Sequence, residues 1–210
     1  MQRLLEKIGS SFPAKNIPVK AEAYATINNC FPNVKEKMSR DGGEIIYGWK
    51  LHSSILLIEA ERHAVWKSTD GDLIDVTPNI ESSVSISFVQ ESNGWVYDGT
   101  YTDNIRVNKT SNPLVDDYIL LNELIFQLYK TSKRKSFMEI TMLEPVEKLV
   151  SLFNEDKIRR EVFIYSNATL DTACYCDSRL KYCECHGFDL KNIFSQVMLD
   201  VQAILKKSNI

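Results

Sequence analysis

The stretch HAVWKSTDGDLIDVTP, residues 63–78, decides how the first half of this chain folds. Apolar and β-branched residues lie on both sides of a Ser-Thr-Asp-Gly turn signal, which is the pattern of a β-hairpin. If Thr69-Asp70-Gly71 is a three-residue loop with Gly71 in the left-handed conformation, Ser68 pairs with Asp72 and His63 faces Thr77. His63 and Asp75 then share one face of the sheet. A loop one residue shorter or longer would put them on opposite faces, because side chains alternate along a strand.

Working outwards, residues 44–50, 55–61, 63–67 and 73–76 read as strands, and Val84, Ile86 and Phe88 alternate with Ser85, Ser87 and Val89 as a further, half-exposed one. Trp49 and Trp66 read as core residues of this sheet. Upstream, residues 3–8 form a short amphipathic helix, residues 10–13 a turn, and residues 32–40 a helix that carries Pro32 in its first turn and stops at Gly42-Gly43. Beyond the Asn93-Gly94 turn and a polar stretch over 102–112, apolar residues recur at helical spacing over 114–130, 145–165 and 190–206, the last with Ile193, Phe194, Val197, Val201 and Ile204 inward. The expected fold class is α+β. An N-terminal helix and an antiparallel β-meander fill residues 1–110, and a helical part containing a cysteine-rich loop fills residues 111–210.

That loop, CYCDSRLKYCECHG over 174–187, holds four of the five cysteines and one of the three histidines. Cys-x-Cys, eight residues, then Cys-His offers Cys174, Cys176, Cys185 and His186 as a tetrahedral zinc set. Cys183 competes with Cys185, and the adjacent His186 favours the latter. Cys-x-Cys is poor geometry for an internal disulfide. The spacing resembles the SEC-C motif, a small zinc-binding element found at the C-terminus of the SecA translocation ATPase, and Ser178, Lys181, Tyr182, His186 and Gly187 fit it. Asp177 and Arg179 stand where that motif has glycines. The resemblance implies a structural zinc whose closed ligand set leaves no place for a reacting water.

The fifth cysteine, Cys30, sits alone at the start of the 32–40 helix. Unpaired N–H groups and the positive end of the helix dipole favour the thiolate there, and the side chains of Asn28 and Asn29 are candidate oxyanion donors. The plainer reading is a small buried hydrophobe. Residues 25–80 loosely resemble the transglutaminase-like branch of the papain-like superfamily. In that branch a cysteine opens a helix, and a histidine in an H-A-W-type strand and an aspartate in a D-x-T strand follow. The matching positions are Cys30, His63 and Asp75, which the resemblance casts as nucleophile, base and orienting carboxylate. The longer helix and the Gly-x-Cys or Cys-Trp context usual in that branch are missing here. Glu59 and Glu61 read singly as sheet-face carboxylates and jointly as spare orienters, while His52, in a turn-like stretch, has no evident partner.

A 210-residue chain with 44% hydrophobic and 25% charged residues has the composition of a globular protein. A net charge of −3 argues against nucleic acid as the main partner, and the basic run Lys130, Lys133, Arg134, Lys135 reads as a solvated helix end. No stretch has the length of a membrane span or a signal peptide. Thiols in zinc spacing point to a reducing cytoplasm, where the Asn-x-Thr matches at Asn108 and Asn167 carry no glycan. Two functions follow as expectations. One is a cysteine-dependent acyl-transfer enzyme acting on a protein or peptide amide, and the other is a non-catalytic, zinc-containing protein-binding adaptor.

Overall fold

In the computed structural model, which describes residues 1–80, 82–134 and 140–207, the 63–78 hairpin has the register of a three-residue loop. Trp66 pairs with Ile74 and Lys67 with Leu73, the Ser68 N–H donates to the Asp72 carbonyl at 2.9 Å, and Gly71 takes a φ of +92°. The chain divides into two compact units, Met1–Val107 and Asn108–Ile210.

The first unit is a mixed α/β body around one antiparallel sheet. Its strands are β1 (Lys15–Pro18), β2 (Glu44–Ser53), β3 (Leu57–Lys67), β4 (Leu73–Ile74), β5 (Ser85–Gln90) and β6 (Ile105–Asn108), in the order β1-β5-β2-β3-β4 with β6 also on β3. The expected meander is therefore corrected. β5 leaves sequential order and lies between β1 and β2, where Phe88 and Val89, on opposite faces, are both buried. An edge position would have left one of them wet. The expected 55–61 and 63–67 strands are a single strand, β3, and the 1–28 segment contains β1, which the sequence reading missed. The sheet curls until its ends meet. Asp75, just past β4, donates its N–H to the Pro18 carbonyl at 2.9 Å and accepts from the Lys20 N–H at 2.8 Å, a parallel bridge to Val19.

Two helices cover this sheet, α1 (Gln2–Ile8) and α2 (Cys30–Asp41). Leu4 and Ile8 of α1 pack on Trp49, Leu51, Ile58, Ala60, Val89 and Val107, and Val34 of α2 packs on Ala64, Trp66 and Val76. Burying an aliphatic side chain such as Val34 contributes roughly 1.5–3 kcal/mol, so α2 is held by its apolar face more than by its ends. Asn29 is its N-cap, Pro32 lies in the first turn where no N–H is needed, and Gly42 stops it, its carbonyl accepting from Trp66 Nε1 at 2.9 Å.

The second unit joins α3 (Leu114–Lys130), a two-stranded ribbon of β7 (Lys133–Arg134) and β8 (Ile140–Thr141), α4 (Glu144–Tyr165) and α5 (Leu190–Lys207). Leu121, Leu124, Ile125 and Leu128 of α3, Val146 and Val150 of α4, and Leu190, Phe194 and Val201 of α5 share one core. Ile193 is 46% exposed and belongs to the outer face of α5, contrary to its expected burial. Of the expected basic run, Lys135 lies outside the described residues. Among the described residues no helix is long and apolar enough to cross a membrane.

Candidate functional site

In the second unit the 166–189 connection between α4 and α5 brings Cys174, Cys176, Cys185 and His186 together, with one donor atom of each within 4.8 Å of the others. The Cys176 and Cys185 sulfurs are 3.4 Å apart, and His186 Nδ1 is 3.2 Å from Cys174 Sγ and 3.4 Å from Cys185 Sγ. Tetrahedral ligands at a zinc–sulfur distance of about 2.3 Å would stand roughly 3.8 Å apart, so the spacing suits a single ion. Cys183 is not in the set. Its N–H bonds the Leu170 carbonyl in a short 3-10 turn, Tyr182–Glu184. The chemistry of three thiols and an imidazole fits a metal of zinc type.

Two positions of the loop carry left-handed backbone. Asp177 and Arg179 adopt φ of +59° and +64°, left-handed values that a side chain tolerates at a cost. Gly187 is needed for a different reason: a Cβ there would lie 2.4 Å from the Tyr182 ring. Tyr182 is fully buried. It accepts from Arg160 and donates to Asp117 Oδ2 at 3.0 Å, tying the loop to α3 and α4. Arg160 also bonds Asp156 Oδ2 at 2.8 Å, and Asp156 Oδ1 accepts from the Tyr175 hydroxyl and stands 4.0 Å from His186 Nε2. Asp156 thus faces the imidazole nitrogen that the cysteines leave free. Hydrogen bonds from the Ser178 hydroxyl and N–H hold the Cys176 thiol down to about 6, whereas burial pushes Cys174 up. Burial likewise raises the Tyr175 and Tyr182 hydroxyls, keeping both protonated.

In the first unit the register puts His63 and Asp75 together. His63 Nε2 lies 3.0 Å from Asp75 Oδ2, with 5% and 1% of the two residues exposed. Cys30 is the first residue of α2, 8% exposed, and near enough to the His63 ring to raise its pKa. Burial disfavours a charged imidazole, yet the Cys30 sulfur and the Asp75 carboxylate hold the His63 pKa up at about 10. Asp75 Oδ1 accepts from the Thr77 N–H at 2.9 Å, so both carboxylate oxygens are engaged. Asn28 is exposed with a φ of +60°, and the half-buried side chain of Asn29 makes no capping bond.

The spare carboxylates have other partners. Glu59 pairs with Arg106 Nε at 2.7 Å and accepts from Asn104 at 3.0 Å, and Glu61 meets His52 at 3.3 Å. His52 is therefore a strand residue of β2 with a partner, which corrects its reading as an isolated turn residue. Asn33, Thr77 and Asp156 were not picked out in the sequence. Asn33 and Thr77 are 44 positions apart, and Asp156 meets Tyr175 and His186 only where the loop folds back along α4, so no local pattern marks any of them. No family model matches this chain, and no curated protein or solved structure does either.

Proposed function

We propose that this chain is a cysteine-dependent acyl-transfer enzyme that acts on a peptide or side-chain amide and is stabilised by a structural zinc. One observation carries the reading: the buried His63–Asp75 hydrogen bond of 3.0 Å, with the only cysteine of the first unit set against the same imidazole. A core histidine needs one polar partner. This one has a carboxylate on Nε2 and, near the ring, a thiol that acts on its charge, which supports the reading of a nucleophile with an oriented base.

With Nε2 engaged by Asp75, Nδ1 is the nitrogen left to hold the Cys30 proton, in keeping with an imidazole that stays charged up to about pH 10. The sulfur attacks the amide carbonyl carbon, and the carbonyl oxygen becomes an oxyanion. It is stabilised by the Cys30 N–H, unpaired as at any helix start, and by the Asn28 and Asn29 side chains. The carbon–nitrogen bond then breaks, and the amine leaves with the proton held on His63. Water or a second amine attacks the thioester and gives its proton to His63, and the acyl group departs from Cys30. Hydrolysis, deamidation and crosslinking share the first half of this sequence.

Cys174, Cys176, Cys185 and His186 would hold the zinc. Because the set is closed, the metal serves to fix the loop. The test uses p-nitrophenyl acetate as a generic acyl donor on the zinc-loaded Cys183→Ser protein. Release of nitrophenolate stoichiometric with protein is expected, with acetyl on Cys30, and both should vanish in Cys30→Ser and slow in His63→Ala. If Cys30 stays unmodified in the folded protein, the adaptor reading replaces the enzyme.

A further inference from the structure

The first turn of α2 carries a polar side chain that neither the helix nor the core requires. Asn33 is 4% exposed and uses its whole amide. Its Oδ1 accepts from the Thr26 N–H at 3.1 Å, and its Nδ2 donates to the Thr26 carbonyl at 2.8 Å and to Thr77 Oγ1 at 3.2 Å. The two bonds to Thr26 grip the backbone of the segment that leads through Asn28 and Asn29 into Cys30. The third reaches the residue whose N–H holds Asp75 Oδ1. One amide therefore ties together the approach to the nucleophile, the helix that carries it and the strand end that carries the acid.

We propose that Asn33 is a positioning residue that sets the Cys30 sulfur against His63 by clamping the 26–29 segment and Thr77 to the first turn of α2. The inference rests on the reading of Cys30, His63 and Asp75 as a reacting set. A side-chain amide carries its donor and its acceptor on separate atoms of one plane, so it can pair with both the N–H and the carbonyl of one residue, as a strand neighbour does. Aspartate at this position has no donor, and leucine would leave the Thr26 N–H and carbonyl and the buried Thr77 hydroxyl without this partner. The geometric demand is strict, because a displacement of about 1 Å from reacting distance costs on the order of a hundredfold in rate.

The charged and titratable groups facing His63 are Cys30 from α2, Asp75 from the end of β4 and Glu61 on its own strand, whose carboxyl is held down mainly by its hydrogen bond to His52. None of these is changed by altering Asn33 or Thr77. The pH dependence of Cys30 chemistry therefore reports how well the sulfur and the ring are aligned.

The experiment measures alkylation of Cys30 by iodoacetamide from pH 5 to 9 in the zinc-loaded, full-length Cys183→Ser protein. The reaction forms the sulfur–carbon bond and expels iodide. Wild type and His63→Ala establish the low-pH reactivity that the imidazole supports, and its absence from wild type would defeat the acyl-transfer reading rather than this one. Given that reactivity, Asn33→Ala should lower the rate at pH 6 at least tenfold. Thr77→Val, which keeps shape and loses the hydroxyl, should lower it three- to tenfold, and Thr77→Ser should restore it to within twofold. Melting temperature and zinc content verify the fold. Folded Asn33→Ala and Thr77→Val proteins with the wild-type profile overturn the proposal, and so does loss of the fold in both, which makes the amide a purely structural bond. If only Asn33→Ala fails to fold, Thr77→Val against Thr77→Ser decides.

Discussion

Both units gather cysteine and histidine side chains, but they do so by opposite routes. In the second unit the four donors lie within one short loop between two helices, and three of them keep part of their surface in water. In the first unit Cys30, His63 and Asp75 come from a helix start, a central strand and the end of a hairpin, and all three are buried. Three thiols and an imidazole facing one point could hold a metal ion. One thiol near an imidazole that a carboxylate holds at 3.0 Å fits the proton transfer proposed above. The number of thiols and the presence of a buried acid, rather than the residue types alone, separate the proposed metal loop from the proposed nucleophile.

The largest effect should come from the metal loop. Replacing Cys174, Cys176, Cys185 or His186 should remove the metal and, because binding is linked to folding, lower the stability of the second unit by several kcal/mol. Cys183→Ser should keep both. Metal analysis alongside thermal unfolding tests this, and a Cys183→Ser protein that purifies without metal would break the contrast drawn between the loop and its fifth thiol.

Next in size is the reactivity of Cys30. Its alkylation below pH 7 should fall about 10- to 100-fold in His63→Ala, and less in Asp75→Asn, which keeps a partner for Nε2 but loses the charge. Metal content should stay at the wild-type level in both. If the two variants and wild type alkylate alike across the range, the first unit holds an ordinary buried cysteine.

The same histidine should make the fold sensitive to alkali. A group whose pKa rises from 6.5 to about 10 on folding contributes its full stabilisation below 6.5 and loses it as the pH climbs through 10. Urea unfolding of the wild type should therefore weaken between pH 7 and 10 more steeply than that of His63→Ala. Parallel slopes would show that the imidazole does not carry the extra proton in the folded state.

The smallest effect sharpens the comparison from the other side. Asp177→Gly and Arg179→Gly relieve left-handed backbone at φ of +59° and +64° and should each stabilise the loop by about 1 kcal/mol. Slower metal loss to a chelator would show it, whereas Gly187→Ala, which drives a methyl into the Tyr182 ring, should act in the opposite direction.

Reading the sequence reached different depths in the two regions. The loop ligands were legible because their spacing is local, and the preference for Cys185 over Cys183 needed only the neighbouring imidazole. The His63–Asp75 pairing was legible for a related reason: a single turn with an Asp-Gly signal sets the register on both sides of it. Strand order was not, because nothing local in 85–90 says that β5 lies beside β2. That choice is made by burial of Ile86, Phe88 and Val89 against β1 and β2 together. Nor was the partner of His52, which depends on the pairing of β2 with β3 opposite Glu61.

What the sequence determined by itself is therefore whatever a turn, a cap or a short loop can specify: the hairpin register, the bounds of α2 through α5 to within a residue or two, and the donor set of the metal loop. The tertiary structure alone decided that the sheet closes on itself through Asp75 and Val19, that α2 packs on β3 beside His63, that Asn33 reaches Thr77, and that Asp156 stands behind His186. The physical reason is range. Backbone preferences act over a few residues, whereas these meetings join segments 30 to 60 positions apart and are selected by which apolar surfaces can be buried at once.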